Sequence, residues 1–260
     1  MRIATWNVNS LNARMPRVEE WLALVQPDVL CMQETKMKNE AFPALAFQAL
    51  GYESFHHGEG RWNGVAILSK VGLEDPAIDF DDGGEPDQDA RICWATCDGV
   101  RVASAYIPNG REVDHDHYHY KLDWFGRLRK HLDTACDPSQ QVAVLGDYNV
   151  APEDRDVWDL MHFEGGTHIT PRERTALQEV VDWGLVDVFR QRFPDDDGLY
   201  TYYDYQAGRF YKRQGIRIDL ILATQTLADR TGLVIVDRNA RKGDKPSDHC
   251  PLVAEFSLDS

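Results

Sequence analysis

The residues able to do chemistry in this chain gather where apolar runs break off. Val142-Ala143-Val144-Leu145 leads straight into Gly146-Asp147-Tyr148-Asn149, the way a buried strand reads when its carboxyl end opens onto a site. Side chains two apart on a strand share a side, so Asp147 and Asn149 are expected to point together. A carboxylate and an amide so placed can hold a water molecule, one taking its proton and the other fixing its orientation. Similar polar exits stand at Asn7, at Glu34, at Tyr106 with Asn109, at Asp219 and at Ser247-Asp248-His249. Glu34 and Asp248 are hard oxygen donors suited to Mg2+, which takes one or two carboxylates and keeps several waters. His249 is the one histidine in the set, which speaks against a zinc site of several imidazoles. Asp219, inside an otherwise apolar run, needs a partner, and a histidine ring is the obvious one. Taken singly, each exit is explained by a turn, a solvated strand end or a cap. Together they are the parts of one reaction.

The elements that must position these groups alternate along the chain. Ile3–Val8 reads as a strand, followed by a helix opened by Pro16 with Val18, Trp21, Leu22 and Val25 on one face. A buried strand at 28–33 precedes a short helix carrying Phe42, Leu45, Ala49 and Leu50 and stopped by Gly51. Strands follow at 64–68, 92–95 and 100–107, the last two joined by a turn at Asp98-Gly99. A helix over 118–132 should bury Leu122, Phe125, Leu128 and Leu132. Thr170-Pro171-Arg172-Glu173 is a capping box with proline at the first helical position, predicting a helix to about Trp183. Strands at 216–223, 233–236 and 252–256 complete the chain. Hairpin-like pairs mixed with strand–helix alternation predict a mixed sheet, or a pair of sheets, flanked by helices.

Length and composition fit one large domain over 1–260. The start reads as a polar-ended strand rather than a signal peptide, and no apolar run has the length of a membrane span. Cys31, Cys93, Cys97, Cys136 and Cys250 include no Cys-x-x-Cys pair, which predicts free thiols in a reducing, intracellular compartment. A net charge of −15 is unusual for a partner of a polyanion. Its distribution matters more than its sum. Between Gly198 and His249, nine Lys and Arg face six acids, a surplus of +3 that leaves −18 for the rest. Attraction for a polyanion would therefore be local. The acidic stretches Asp79 to Asp89 and 195–197 read as solvated turns.

Six segments resemble, in order, the motifs of the exonuclease III family of apurinic/apyrimidinic endonucleases, in the wider superfamily that includes deoxyribonuclease I. They are Thr5-Trp6-Asn7-Val8-Asn9, Gln33-Glu34-Thr35-Lys36, Tyr106-Ile107-Pro108-Asn109, Gly146-Asp147-Tyr148-Asn149, Arg217-Ile218-Asp219 and Ser247-Asp248-His249. The resemblance implies a four-layered α/β sandwich, two packed mixed β-sheets flanked by helices, with the active site at one edge. It implies Mg2+-dependent hydrolysis of DNA phosphodiesters, with Mn2+ as a substitute. The protein would be a cytoplasmic monomer acting on duplex DNA at abasic sites or 3′ ends, with no membrane partner. By position, Glu34 resembles the main metal ligand, assisted by Asp248 and Asn7. Asp147 would orient or deprotonate the attacking water beside Asn149. His249, held by Asp219, would contact the scissile phosphate, with Tyr106 and Asn109 bracing its oxygens.

Substrate choice is expected from the aromatic and basic stretch Tyr200 to Arg213, where Tyr202, Tyr203, Arg209, Lys212 and Arg213 could hold a displaced nucleotide and its phosphates. In the family this neighbourhood forms the abasic-site pocket, and Tyr202, Ile216 and Ile218 take the matching positions. Ile216 stands where human-type members carry Trp, nearer the bulky aliphatic of bacterial ones. A phosphoesterase of the same superfamily acting on lipid or inositol phosphates is the nearest rival reading, and a catalytically silent DNA-binding protein the rival from another class. The run Asp114-His115-Asp116-His117-Tyr118-His119 looks metal-binding but reads as a polar loop entering a helix, and Cys250 reads as inert packing.

Overall fold

Strand alternation sorts the apolar residues into three layers of core. The computed structural model describes residues 1–258. Its first sheet contains β1 (Arg2–Asn7), β2 (Val29–Gln33), β3 (Glu53–His57), β4 (Val65–Ser69), β11 (Thr231–Val236) and β12 (Leu252–Phe256), in the order β11-β12-β1-β2-β4-β3. Its second contains β5 (Glu74–Ile78), β6 (Ile92–Cys97), β7 (Val100–Tyr106), β8 (Val142–Asp147), β9 (Leu185–Asp187) and β10 (Asp219–Thr224), in the order β5-β6-β7-β8-β10-β9. Alternate residues go to opposite layers, as a strand buried on both faces requires. On β2, Val29 and Cys31 enter the core between the sheets, while Leu30 and Met32 face outward. On β8, Ala143 and Leu145 point to the middle, and Val142 and Val144 to the opposite outer layer.

The outer layers are closed by α1 (Leu11–Val25) and α2 (Ala44–Ala49) over the first sheet, and by α3 (Asp116–Ala135) and α5 (Pro171–Val181) over the second. Shorter helices are α4 (Leu160–Phe163), α6 (Val188–Arg192) and α7 (Gln225–Ala228). The result is the four-layered sandwich of two mixed sheets expected above. Among the described residues no helix is long and apolar enough to cross a membrane.

Register gathers the polar exits at one edge. β1 runs parallel to β2 with Asn7 opposite Gln33, and β7 runs parallel to β8 with Tyr106 opposite Asp147. β10 runs antiparallel to β8, so its first residue, Asp219, also meets Asp147. Asp219 therefore opens its strand, whereas the sequence placed it inside one. Residues 216–218 lie outside the ladder, held by bridges from Ile216 to Val157 and Tyr202. Gly146 makes the close approach of β8 to β7 possible: a Cβ there would stand 1.8 Å from the Ala105 carbonyl oxygen.

Some local expectations shift. α1 begins at Leu11 and carries Pro16 as its sixth residue, past the first turn, so the helix gives up one backbone hydrogen bond there. α2 buries Phe47 and leaves Leu45 exposed. On α3, Leu122 is only half-buried, and Lys121 takes its place inside with Trp124, Phe125, Leu128 and Leu132. The acidic stretch after β5 is pinned rather than free: Asp82 is buried against Arg127, Asp87 accepts from Tyr120 and Asp89 from Arg91. His115 caps α3 through its ring, accepting from the His117 N–H.

Candidate active site

At the edge where the strands end, Asn7 ties the two sheets together. Its amide nitrogen donates to Glu34 Oε1 at 2.8 Å and to Asp147 Oδ2 at 2.9 Å. Its own oxygen accepts from the Asn9 N–H at 3.0 Å, so the amide is held at both ends. Glu34, Asp147 and His249 each present a ligand atom, and these atoms lie within 4.8 Å of one another. Asp248 stands beside this trio, lining the same cavity and accepting from Asn9 Nδ2 at 3.1 Å. Lys36 Nζ lies 2.8 Å from Glu34 Oε2 and donates to Asn9 Oδ1 at 2.6 Å. Burial works against ionising Glu34, yet Lys36 and the Asn7 amide hold its carboxyl below the usual range.

On the other side of Asp147, the His249 Nδ1 meets Asp219 Oδ2 at 2.8 Å, and its Nε2 stands 3.8 Å from Asp147 Oδ2. Burial disfavours charging this ring, but Asp219 and Asp147 outweigh it and push His249 up to about 10. Burial is also the largest influence on Asp147, and with Asp219 and Glu34 nearby it raises this carboxyl to about 7 despite His249. Asp219 Oδ1 is buried with no hydrogen-bond partner. The site thus holds more negative charge than its own cations satisfy.

Beyond β8 the chain turns tightly. The Asn149 N–H donates to Asp147 Oδ1 at 3.0 Å, and Asn149 itself is left-handed at φ 51°. Its side chain donates to the Ile107 carbonyl at 2.9 Å and accepts from Asn109 Nδ2 at 3.1 Å. Asn9, Glu34 and Lys36 also have positive φ (43°, 52° and 52°), so several residues around the site are held in a backbone region that non-glycine residues rarely occupy. The Tyr106 hydroxyl is kept protonated by burial and by the carboxylates of Glu34 and Asp147, and the Arg91 guanidinium lies over its ring at 5.0 Å.

These groups line a cavity of about 300 Å3, whose far wall is apolar: Trp158, Phe163, Tyr202, Ile216 and Ile218. Tyr202 packs on the His249 ring at 5.0 Å, and Arg209 leans over Trp158 at 5.5 Å. Lys212 and Arg213 are exposed on the turn that follows. Tyr203 departs from expectation. It is fully buried, its ring against Phe210 and the Arg238 guanidinium, while the backbone bridges of Tyr202 to Ile216 and His249 seat Tyr202 at the cavity instead.

The sandwich of two mixed sheets that carries this edge has counterparts among known proteins. The sequence pattern of the Endonuclease/Exonuclease/phosphatase family matches residues 4–249. The chain belongs to that family. It is 33% identical to exodeoxyribonuclease III of Haemophilus influenzae over 98% of this chain and 100% of that one. It is 29% identical to the DNA repair nuclease APEX1 of Danio rerio, over 97% of this chain and 81% of that protein. Among solved structures, an AP endonuclease from Archaeoglobus fulgidus superposes with a TM-score of 0.96 at 39% identity, covering 99% of this chain and 100% of its own. The 3′ phosphatase NExo from Neisseria, bound to a product DNA hairpin, gives 0.94 at 37% identity, with 99% and 100% covered.

Within this member of the family, sequence reasoning passed over several groups that the fold brings to the site. Lys36 sat inside a quoted motif without a role. Trp158, Phe163 and His168 come from the irregular stretch around the one-turn α4, which has no period to read, and only the cavity reveals them. Lys121 and Glu173, buried behind Asn149, were hidden in helices, although Lys121 does fall on the apolar stripe of α3.

Proposed function

We propose that this chain is a metal-dependent DNA repair nuclease. It would incise the backbone 5′ to abasic sites, degrade duplex ends 3′→5′ and clear blocked 3′ termini. The observation that carries the reading is the meeting of Glu34, Asp147 and His249 within 4.8 Å, beside a cavity large enough for a nucleotide-sized group.

The donor set fits a hard divalent cation. Its acceptors are carboxylate oxygens, Asp219 keeps an unpartnered oxygen, and Asp147 is driven toward protonation by burial first, with the Asp219 and Glu34 carboxylates adding to it. Glu34 and Asp248 would hold Mg2+, with Asn7 fixing the Glu34 carboxylate from the side. A bound cation supplies Lewis-acid stabilisation of the phosphoryl oxygens. The remaining work belongs to the protein. Asp147, ionised, accepts the proton of the attacking water while Asn149 orients it. His249, kept charged by Asp219, donates to a non-bridging phosphate oxygen as negative charge gathers there, and Tyr106 and Asn109 donate to its neighbours. The water oxygen bonds to phosphorus as the P–O bond to the 3′-oxygen breaks, and that oxygen takes a proton from solvent water to leave as the 3′-hydroxyl. The apolar wall of Tyr202, Ile216 and Ile218 suits a sugar lacking its base, and Arg209, Lys212 and Arg213 suit the flanking phosphates.

The test is a set of parallel assays with Mg2+ and with chelator: a duplex containing one abasic site, a duplex with a 3′-phosphate, and inositol phosphates. Cutting of the DNA substrates that chelator abolishes is expected. Activity restricted to the inositol phosphates, or DNA binding without cleavage in Mg2+, would sink the proposal.

A further inference from the structure

Behind Asn149, on the side away from the cavity, lies a buried ion cluster that takes no part in the chemistry above. Lys121 of α3 is fully buried. The three protons of its ammonium are shared among four acceptors: the main-chain carbonyl of Asn149 at 2.6 Å, that of Asn109 at 3.3 Å, Thr167 Oγ1 at 3.2 Å and Glu173 Oε1 at 2.5 Å. The Asn149 carbonyl has a second partner in His168 Nδ1 at 2.6 Å, and since a carbonyl only accepts, that nitrogen carries the proton. Glu173 is saturated in turn. Its Oε1 also accepts the Thr167 hydroxyl and the His168 N–H, and its Oε2 accepts the N–H and hydroxyl of Thr170.

Capping α5 requires only the bonds to Thr170, so the cap does not explain a lysine drawn out of water, which is costly to bury. Packing does not explain it either, because an apolar side chain of similar length fills the same space. The two carbonyls that the ammonium joins do. They belong to the two asparagines whose side chains reach the cavity, and those side chains bond each other. Both backbones need restraint: Asn149 is left-handed, and Gly110, next to Asn109, has φ 92° and no room for a Cβ beside Thr167 and Lys121.

We propose that Lys121 is a positioning residue for hydrolysis: anchored by Glu173, its ammonium clamps the main chain of Asn109 and Asn149 so that both side-chain amides keep one orientation toward water and phosphate. The inference rests on the nuclease reading for its kinetic consequence, while the clamp itself is open to a test that needs no activity.

The kinetic test uses the full chain on an abasic-site duplex. Lys121→Met should lower kcat by about 10- to 100-fold, the scale of a small misplacement of reacting groups, with KM little changed. Lys121→Arg, which keeps charge and donors, should recover most of the loss. In an Asn109→Ala/Asn149→Ala background the same Lys121→Met change should cost less than about twofold, because both side chains it acts through are gone. An equal loss in both backgrounds would make the role purely structural and overturn the proposal. Should Lys121→Met fail to fold, pairing it with Glu173→Gln removes both buried charges together, and the cycle is run on that pair. The second arm reads the side-chain amide resonances of asparagine by nitrogen-15 NMR. Those of Asn109 and Asn149 should shift or broaden on loss of the ammonium while that of Asn7 stays; unchanged Asn109 and Asn149 signals refute the clamp. A wild-type protein that cuts no DNA would refute the nuclease reading instead, and the resonances would still decide the clamp.

Discussion

Glu173 and Asp147 lie on opposite sides of Asn149, each a buried carboxylate near a cation, yet their surroundings pull them in opposite directions. Burial works against ionising Glu173, but Lys121 and the Thr167 and His168 hydrogen bonds overcome it and hold the carboxyl down at about 2. Asp147 is taken up to about 7 by burial, with Asp219 and Glu34 adding to it. Each oxygen of Glu173 is hydrogen-bonded, whereas next to Asp147 one oxygen of Asp219 has no partner. The difference teaches where this fold is rigid and where it is charged for work. The clamp has its charge satisfied and serves geometry. The site keeps charge unsatisfied and so retains an appetite for a proton, a cation or a developing positive centre.

If that contrast is right, neutralising the two carboxylates should do different things. Asp147→Asn should reduce the single-turnover rate on an abasic duplex by about 10²- to 10⁴-fold, the usual reach of proton-transfer catalysis. Its urea midpoint should hold or rise, because the replaced group is one that burial already disfavours. A retained rate would take Asp147 out of the chemistry. Glu173→Gln should behave in reverse, losing about 3–5 kcal/mol of stability by urea unfolding because the Lys121 charge is stranded. A Glu173→Gln protein as stable as wild type would erase the distinction between the clusters.

A smaller effect separates them by pH. Below its usual value Glu173 stays ionised in the fold, so its contribution is complete above about 4.5 and is lost as pH falls through about 2. His168, pushed down to about 4 by burial and by Lys121, contributes fully above about 6.5 and loses that contribution as pH falls through about 4. His249 runs the other way: raised to about 10, it contributes fully below about 6.5 and loses that as pH rises through about 10. Urea midpoints across pH should therefore flatten on the acid side for His168→Gln and on the alkaline side for His249→Gln. The opposite assignment of the two limbs would break the comparison.

The strand exits were legible because each is written in neighbouring residues: an apolar run, then an Asp, Asn or Glu. The capping box of α5 was legible for the same reason, and Thr170 and Glu173 bond as its spacing requires. The second function of Glu173, as counter-ion to Lys121, was not legible, since the two are 52 residues apart. Hydropathy drew Leu122 inward on α3, yet the face meeting the Asn149 turn needs a donor, and Lys121 is there instead. Tyr203 looked like half of an aromatic pair facing DNA, and only the bridges from Tyr202 to Ile216 and His249 decide which of the two rings faces the cavity.

What the chain determined by itself was the alternation of elements, the identity of the polar ends and hence the kind of chemistry available. Those depend on side-chain period and turn stereochemistry, which act over a few residues. Tertiary structure decided which charges are neutralised and which are left over, because that balance depends on how the two sheets pack and bring together side chains more than a hundred residues apart, such as Asn7 against Asp147.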